Sequence, residues 1–278
     1  MIAIGKFNQL KIANFAPFGA YLDAETGKRA DNILLPKKQV PPEASVGEAL
    51  NVFVYRDSEN RLIATVREPL AQVGELAYLK VTAKTSFGAF LDIGLERGLF
   101  LPFSEQRYPV EMNKSYLVYL YLDKSERICC TTDIYQHLTS DSLYDKNDKV
   151  VGTVYLVKAD VGVFVAVDDQ VKGLIPLSEC YRTVHEGDRV EARVIRVRED
   201  GKLDLSLRDL AYKQVDADGE TVYQSMLKNQ GYLCLSEKDD SKKIEQEFHM
   251  SKAAFKRAIG NLLKAGKITK TEKGLKVR

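Results

Sequence analysis

The sequence predicts a mainly β protein, with three small five-stranded barrels in a row and a C-terminal α+β module. The first observation is a repeat: FGAYLD at 18–23 returns as FGAFLD at 87–92 and, more loosely, as VGVFVAV at 161–167. The second is that each copy lies within about 70 residues of strand-like pattern, the size of a five-stranded Greek-key barrel. The third is a change from strand to helix periodicity after about residue 211.

Each copy of the six-residue segment lies within a longer repeat that extends in both directions from it. A turn and a run that reaches proline follow it, at 32–36, 98–105 and 173–179. Each repeat then continues with a long strand (49–55, 116–122, 189–197) and ends on a short one (61–66, 127–132, 202–207). The predicted domain limits are 1–68, 69–140, 145–210 and 211–278. The polar stretch 131–148 is expected to be the longest link and to hold a helical turn.

The third repeat shows the strand pattern best. Leucine alternates with polar residues over 202–207, which is the period of a half-buried strand. In the strand before it, the apolar positions change parity between Val194 and Ile195. Such a change predicts a bulge or strong coiling, as a small closed barrel needs. Gly162 and Gly173 fall where strands must bend or turn.

Composition limits the class of protein. The chain is 45% hydrophobic and 29% charged, as in ordinary soluble proteins. No apolar run approaches the roughly 18 residues that span a bilayer, and the N-terminus lacks a signal-peptide pattern. The four cysteines (Cys129, Cys130, Cys180, Cys234) form no C-x-x-C pair, so neither a disulfide framework nor a zinc site is expected. We therefore expect a cytoplasmic protein without cofactor, metal or membrane partner.

Charge is unevenly distributed along the chain. Residues 241–278 hold eleven Lys or Arg and three acids, a net charge of +8, and the remaining residues carry −6. A basic module on an acidic body indicates an anionic partner. The alternative is a solvated lysine-rich surface.

The C-terminal module reads as three helices and a hairpin. Helices are predicted at 219–230 and 241–249, and Ser251 can cap a third that stops at Gly266. The third helix has one apolar face (Ala254, Phe255, Ala258, Ile259, Leu262, Leu263) and one polar face (Lys256, Arg257, Asn261, Lys264). A hairpin follows at 267–277.

These motifs carry a resemblance. The aromatic-Gly-x-aromatic strand, the G-L-[IF]-(L)-P-[LF]-S-E segment and the G-D-x-V-x-A-x-V-I-x-V strand from Gly187 resemble the S1 domain, an RNA-binding oligonucleotide-binding (OB) barrel. The C-terminal module resembles a winged helix. Over its full length the chain resembles the conserved virulence factor B family of bacteria. That resemblance implies a cytoplasmic RNA-binding protein that regulates gene expression after transcription, including virulence factor regulation.

The S1 pattern implies a set of stacking residues. Its ligand-facing aromatics correspond here to Phe18, Tyr21, Phe87, Phe90 and Phe164. Aromatic faces let bases of a single strand stack, while cations follow the phosphates. Residues three apart in a flat strand face opposite sides, so the first aromatic must lie in the loop or the glycine must bend the chain. The alternative is that these aromatics belong to the barrel cores.

The candidate cations lie near the expected ligand face. Those of the barrels are Arg61, Lys84, Arg127, Lys172, Arg193 and Arg196, and those of the winged helix are Lys256, Arg257, Lys264, Lys270 and Lys273. Two features depart from the S1 pattern. Proline stands at 36, 102 and 176, where the family usually has histidine, and Val161 replaces the first aromatic of the third copy. Individual barrels are therefore expected to bind weakly, or one to serve as a spacer.

The predicted partner is single-stranded RNA, bound by a monomer that is not an enzyme. No phosphate-binding, dinucleotide, zinc-protease or nucleophile-elbow motif is present, and the three histidines are isolated. S1 barrels occur in ribonucleases as accessories to a catalytic domain. All four segments of this chain are already assigned to barrels or to the winged helix, so no segment is left for such a domain. The other open function is a protein-binding adaptor of the translation or transcription machinery, with ribosome- or mRNA-associated proteins as partners and no direct RNA contact.

Overall fold

The computed structural model describes residues 2–208, 211–233, 235, 240–271 and 274–277. It forms two compact units, Met1–Leu207 and Arg208–Arg278. The first unit holds three closed five-stranded barrels, which confirms the predicted fold class. The domain limits given above stay predictions.

The strands of the three barrels follow the predicted order. Barrel 1 contains β1 Lys6–Ala16, β2 Gly19–Leu22, β3 Ile33–Pro36, β4 Ala49–Arg56 and β5 Leu62–Thr65. Barrel 2 contains β6 Leu76–Lys84, β7 Gly88–Leu91, β8 Leu99–Pro102, β9 Ser115–Leu122 and β10 Ile128–Thr131. Barrel 3 contains β11 Lys149–Lys158, β12 Gly162–Val167, β13 Val171–Pro176, β14 Arg189–Val197 and β15 Leu203–Ser206. In each, the fifth strand lies between the third and the fourth, and the fourth pairs with the first.

The repeated glycine brings two strands close together at the rim of each barrel. A Cβ atom on Gly19 would lie 2.0 Å from the carbonyl oxygen of Leu35, and on Gly162 2.2 Å from that of Ile175. Both glycines also have positive φ, +154° and +138°, where side chains are disfavoured. The predicted bulge is present in β14, where the register shifts between Val194 and Arg196. Coiling of this kind lets a short sheet close on itself.

Proline begins a short 3₁₀ turn after the third strand of each barrel. The turns are Lys37–Gln39, Phe103–Glu105 and Leu177–Glu179. Their last residues tie the turn to the fifth strand, because buried Thr65 donates to Gln39 Oε1 at 2.5 Å and buried Ser206 to Glu179 Oε2 at 2.5 Å. The prolines that replace the family's histidine therefore lie where the chain turns to close the barrel.

The link from β10 to β11 holds the predicted helical turn, Tyr135–His137. It is not a purely polar tether, however. Ile134 and Leu138 are buried in an apolar cluster with Leu117 of barrel 2 and Tyr155 of barrel 3. Spaced four apart around one turn, both side chains reach this cluster, and Tyr135 between them packs partly against it. The link is thus part of a core that barrels 2 and 3 share.

The second unit contains three helices and a hairpin: α1 Ala211–Lys228, α2 Ser241–Phe248, α3 Lys252–Lys264, β16 Ile268–Thr271 and β17 Gly274–Val277. Helix α1 begins eight residues before the predicted start at Gly219. Glycine is a poor helix former, which made it look like a boundary. In the structure Gly219 is buried, and a Cβ there would lie 3.9 Å from Leu262 of α3. The bare backbone faces the neighbouring helix.

Local capping sets the ends of α2 and α3. The Ser251 hydroxyl accepts from the Ala254 N–H at 3.2 Å, as the sequence predicts. His249, with φ of +52°, ends α2 in the left-handed conformation. The apolar face of α3 forms the centre of this unit, where Phe255, Ala258 and Ile259 are buried.

Candidate nucleic-acid interface

The two phenylalanines that precede the repeated glycine lie in loops. Phe18 is 74% exposed just before β2, and Phe87 is 69% exposed just before β7. Their partners three residues on, Tyr21 and Phe90, lie within those strands and are half-buried. The loop position therefore allows both aromatics of a pair to reach one face. It also separates Phe18 and Phe87 from the barrel cores.

Barrel 2 presents the most aromatic face. Phe90 of β7 lies opposite Phe100 of β8, with ring centroids 5.2 Å apart and planes inclined by 38°. Together with Phe87 they line a cleft of about 530 Å³. Phe100 was not among the predicted stacking residues, because the corresponding positions of the other barrels are Leu34 and Leu174. Comparing cross-strand partners among the repeats would have revealed it.

Two guanidinium groups stand at this cleft. Arg97 Nη2 donates to Ser58 Oγ at 3.1 Å, and Arg127 Nε donates to Asn60 Oδ1 at 3.2 Å. Within the described residues, neither group has a carboxylate within 4.0 Å. Neither guanidinium is therefore in a direct ion pair, although Asp57 and Asp123 also line the cleft. Arg127 was a predicted site residue, whereas Arg97 was missed because it lies in the loop before β8.

Other predicted cations of barrels 1 and 2 already have protein partners. Arg61 forms ion pairs with Asp57 at 2.8 Å and Glu59 at 2.9 Å. Lys84 Nζ donates to the Val110 carbonyl at 2.8 Å. A phosphate would have to compete with these contacts. Arg61 and Lys84 are therefore less available to a ligand than Arg97 and Arg127.

The turn between β9 and β10 is organised by Asp123. Its Oδ1 accepts from the Ser125 N–H at 2.7 Å and from the Arg127 N–H at 3.0 Å. Burial alone would raise the pKa of Asp123, but the hydrogen bonds from Ser125 and Arg127 outweigh it and hold that pKa below its usual value. Burial also raises the pKa of the nearby Cys129 thiol to about 12, and the charge of Asp123 adds to the effect. Cys129 is therefore a neutral thiol at the wall of the cleft.

The depressed pKa of Asp123 predicts an acid-sensitive turn. Its ionised form stabilises the folded state fully above the unfolded pKa of about 3.9, and this stabilisation is lost as pH falls through the lower folded pKa. We expect Asp123→Asn to lower the melting temperature at pH 5–7 and the difference from wild type to shrink below about pH 4. Lys124→Ala, an exposed change in the same turn, serves as control. A difference that stays constant to pH 3 would contradict the assignment.

Barrel 3 presents no comparable open face, because the link from barrel 2 lies across it. Lys172 Nζ sits 4.7 Å from the ring centroid of Tyr135 in the link. The link's Thr139 forms a parallel bridge with Val171 at the edge of β13. Phe164 packs beside buried Tyr155, with centroids 6.1 Å apart, and borders the cluster shared by barrels 2 and 3.

The two remaining predicted cations of barrel 3 differ in their surroundings. Arg193 is half-buried and its Nη1 donates to Asn147 Oδ1 at 3.1 Å. Arg196 is exposed on β14. Neither lies beside an open aromatic pair like that of barrel 2, since the loop position of this barrel holds Val161.

The winged-helix cations are described in part. Lys256, Arg257 and Lys264 are exposed on α3, on the side away from its buried face. Lys270 lies in β16, but its side chain and the whole of Lys273 fall outside the described residues. Two lysines that were not predicted lie over tyrosine rings in this unit: Lys267 is 5.3 Å from the Tyr223 centroid and Lys276 5.1 Å from that of Tyr232.

Neither a metal centre nor a membrane span is found among the described residues. In the part of the chain that the structure describes, no group of three His, Cys, Asp or Glu is placed to hold a metal ion. Across the same residues, no helix is both long and apolar enough to cross a bilayer.

Comparison with known proteins identifies the family. The S1 domain family matches residues 4–67 and 73–133, the second domain of the virulence regulatory factor CvfB matches 136–209, and the CvfB-like winged helix domain matches 220–277. The protein YitL of Bacillus subtilis is 33% identical over 269 residues, covering 93% of this chain and 88% of YitL. The chain belongs to the conserved virulence factor B family.

Two further relatives support this assignment. Conserved virulence factor B of Staphylococcus epidermidis is 28% identical, with 89% of each chain covered. A crystal structure from Streptococcus pneumoniae, described as a multidomain protein with nucleic acid binding domains, is 25% identical with a TM-score of 0.54, covering 99% of this chain and 98% of that one. The family is a regulatory one of S1 and winged helix domains and is not a known enzyme family.

Proposed function

We propose that this chain is a cytoplasmic regulator that binds single-stranded RNA and controls gene expression after transcription, without catalysing a reaction. The observation that carries the proposal is the cleft of barrel 2, where three aromatic rings lie beside two arginines that form no direct ion pair with the described residues. Membership of a family with S1 domains, and the likeness to a protein with nucleic acid binding domains, support the same conclusion.

The chemistry of the cleft suits a single strand. Each base that stacks on an aromatic side chain contributes about 1–3 kcal/mol, and the stacking tolerates any base. Arginine pairs with phosphate and also stacks on bases, so Arg97 and Arg127 can hold the backbone beside the rings. Phe87 is largely exposed and contributes little to its own core, which favours a role in binding. We propose Phe18 and Tyr21 as the equivalent pair in barrel 1.

The other candidate residues are proposed as secondary contacts. In the barrels these are Arg61, Lys84, Phe164, Lys172, Arg193 and Arg196, and in the winged helix Lys256, Arg257, Lys264, Lys270 and Lys273. Most of the barrel residues among them are engaged with protein groups, so their contribution should be small. The winged-helix residues belong to the +8 segment and would supply long-range attraction.

The competing function is an adaptor that binds only proteins. A mobility-shift titration of the full-length chain with a labelled pool of single-stranded RNA at moderate salt distinguishes the two. We expect a shift that unlabelled RNA competes away and that double-stranded RNA of equal length competes poorly. An adaptor that lacks RNA affinity gives no shift at any protein concentration used.

The winged helix should carry much of the electrostatic part of RNA binding. We expect replacement of Lys256, Arg257 and Lys264 by Ala in the full-length chain to flatten the slope of log affinity against log salt. Each phosphate that is no longer neutralised changes this slope by about 0.7, so the maximum effect is a change of about 2. Fluorescence anisotropy from 50 to 300 mM salt measures it.

The control for this experiment changes charge elsewhere in the same segment. Lys242 and Lys243 are exposed on α2, and their replacement by Ala should alter the slope less. Equal slopes for wild type and the α3 variant would assign this module to protein contacts and leave the barrels as the RNA-binding part.

A further inference from the structure

The clefts of barrels 1 and 2 share a border. It is the turn at residues 56–61, which joins β4 to β5 of barrel 1. The cleft of barrel 1, which contains Tyr21, has Glu126 of barrel 2 in its wall. The cleft of barrel 2, which contains Phe90, has Tyr55 of barrel 1 in its wall. Each cleft is therefore completed by a residue of the neighbouring barrel.

Cross-barrel contacts hold this border in place. Arg56 forms an ion pair with Glu126, and its side chain is only 18% exposed. Ser58 and Asn60 of the same turn accept the hydrogen bonds from Arg97 and Arg127 described above. Three contacts thus join one turn of barrel 1 to barrel 2, and Arg56, Ser58 and Arg127 among their residues line the cleft of barrel 2.

A second set of contacts fixes the two barrels at their base. The Val73 N–H donates to the Gly5 carbonyl at 3.0 Å, and the Phe7 N–H donates to Gln72 Oε1 at 3.2 Å. A Cβ on Gly5 would lie 2.2 Å from Val73 Cγ2, so the Val73 side chain packs directly on the bare backbone of Gly5. Preorganised surfaces bind with a smaller ordering cost than surfaces on flexible linkers.

We propose that barrels 1 and 2 form one continuous binding site, in which a single RNA strand passes from one cleft to the other across the 56–61 turn. This inference rests on the proposed function and extends it. Aromatic pairs lie on both sides of the crossing, Phe18 with Tyr21 and Phe87 with Phe90. Arg97 and Arg127 stand at the crossing itself, where a phosphate must pass between the stacked segments.

Barrel 3 is outside this path. Its equivalent face is covered by the link, through the contact of Tyr135 with Lys172 and the bridge of Thr139 with Val171. The corresponding loop residue is Val161, which offers no ring for stacking. The continuous site therefore has the length of two barrels. Since one OB-type barrel covers about 4–16 nucleotides, a strand of roughly 8–32 nucleotides should fill it.

The test uses three equivalent loop positions in the full-length chain. Phe18→Ala, Phe87→Ala and Val161→Ala remove the exposed residue before the repeated glycine of barrels 1, 2 and 3. Each variant is titrated with oligouridylate of 5 and of 20 nucleotides at about 0.3 M salt, which weakens contacts that are purely electrostatic. The short probe fits one barrel, and the long probe can occupy two.

The wild type is expected to bind the 20-mer at least about 10²-fold more tightly than the 5-mer, because a second cleft engages the same strand. Phe87→Ala should weaken both probes, since the cleft of barrel 2 is the richer one. Phe18→Ala should weaken the 20-mer by about 5-fold or more and leave the 5-mer within 2-fold. Val161→Ala should leave both probes unchanged.

The outcomes separate this inference from the proposed function. If Phe18→Ala leaves the 20-mer unchanged while Phe87→Ala weakens it, RNA binding stands and the continuous site is refuted. If Val161→Ala weakens the 20-mer as much as Phe18→Ala, the face of barrel 3 is in use and the two-barrel limit is refuted. If no probe binds the wild type, the proposed function itself fails.

Discussion

Replacing Phe87 by Ala is expected to weaken single-stranded RNA binding without changing the melting temperature. The loss of one stacked base costs about 1–3 kcal/mol, which corresponds to roughly 5- to 150-fold in affinity. Phe87 is exposed in a loop, so its removal takes little apolar surface out of the core. Anisotropy titration and differential scanning calorimetry of the same preparation measure the two effects.

The neighbouring variant gives a different result, which makes the pair informative. Phe90 is half-buried and packs against Phe100, so Phe90→Ala should lower both affinity and melting temperature. Leu143→Ala controls for the loss of an exposed apolar side chain, since Leu143 is fully exposed in the link. A sharp drop in the melting temperature of Phe87→Ala, of the size that a core Phe→Ala change costs at about 3–5 kcal/mol, would show that Phe87 is structural.

Replacing Ile134 by Ala is expected to destabilise barrels 2 and 3 together. Ile134 is fully buried between them, and Ile→Ala changes in cores cost about 2–5 kcal/mol. The free energy of unfolding, followed by urea denaturation, should fall by that amount. Hydrogen exchange should rise in β9 and β11 alike, because both strands contribute to the cluster around Ile134.

A matched control exists two residues away. Gln136 is exposed in the same 3₁₀ turn, and Gln136→Ala should change the free energy of unfolding by less than about 0.5 kcal/mol. If Ile134→Ala behaves like Gln136→Ala, the link is a solvated tether, as its polar composition alone suggests. Faster exchange in only one of the two strands would show that the barrels do not depend on a shared core.

Local pattern was enough to predict the barrels and the bulge in β14. Two patterns belong to single strands: the alternation of leucine over 202–207 and the parity change at Val194. In each strand the apolar positions show which face is buried. The repeated glycine was equally informative, because one local geometry, the close approach of two strands, recurs in every copy. The extent of α1 was missed because Gly219 looks like a boundary in sequence but lies against α3 in the structure.

The candidate site was predicted less completely because it depends on contacts between repeats. Phe87 and Arg127 were found from their position within one copy. Arg97 and Tyr55 were not, since their relevance depends on how barrel 1 meets barrel 2. In the sequence, Phe164 looks equivalent to Phe90, and only the folded link shows that its face is covered. Ile134 and Leu138, two apolar residues in a polar link, were the sequence signal that could have indicated that the link packs against the barrels.

The core shared by barrels 2 and 3 also affects how the chain is made. Translation proceeds at about 5–20 residues per second, and domains usually fold as they emerge. Barrel 2 is complete at Thr131, whereas barrel 3, whose Ala166 helps to cover Leu117, is complete only at Ser206, 75 residues later. The unfinished chain thus shows an apolar surface for roughly 4 to 15 s at that rate. Arrested chains of this length should bind an apolar dye that the complete protein excludes. On the ribosome, that surface is available to a chaperone during an interval that ends once barrel 3 has folded.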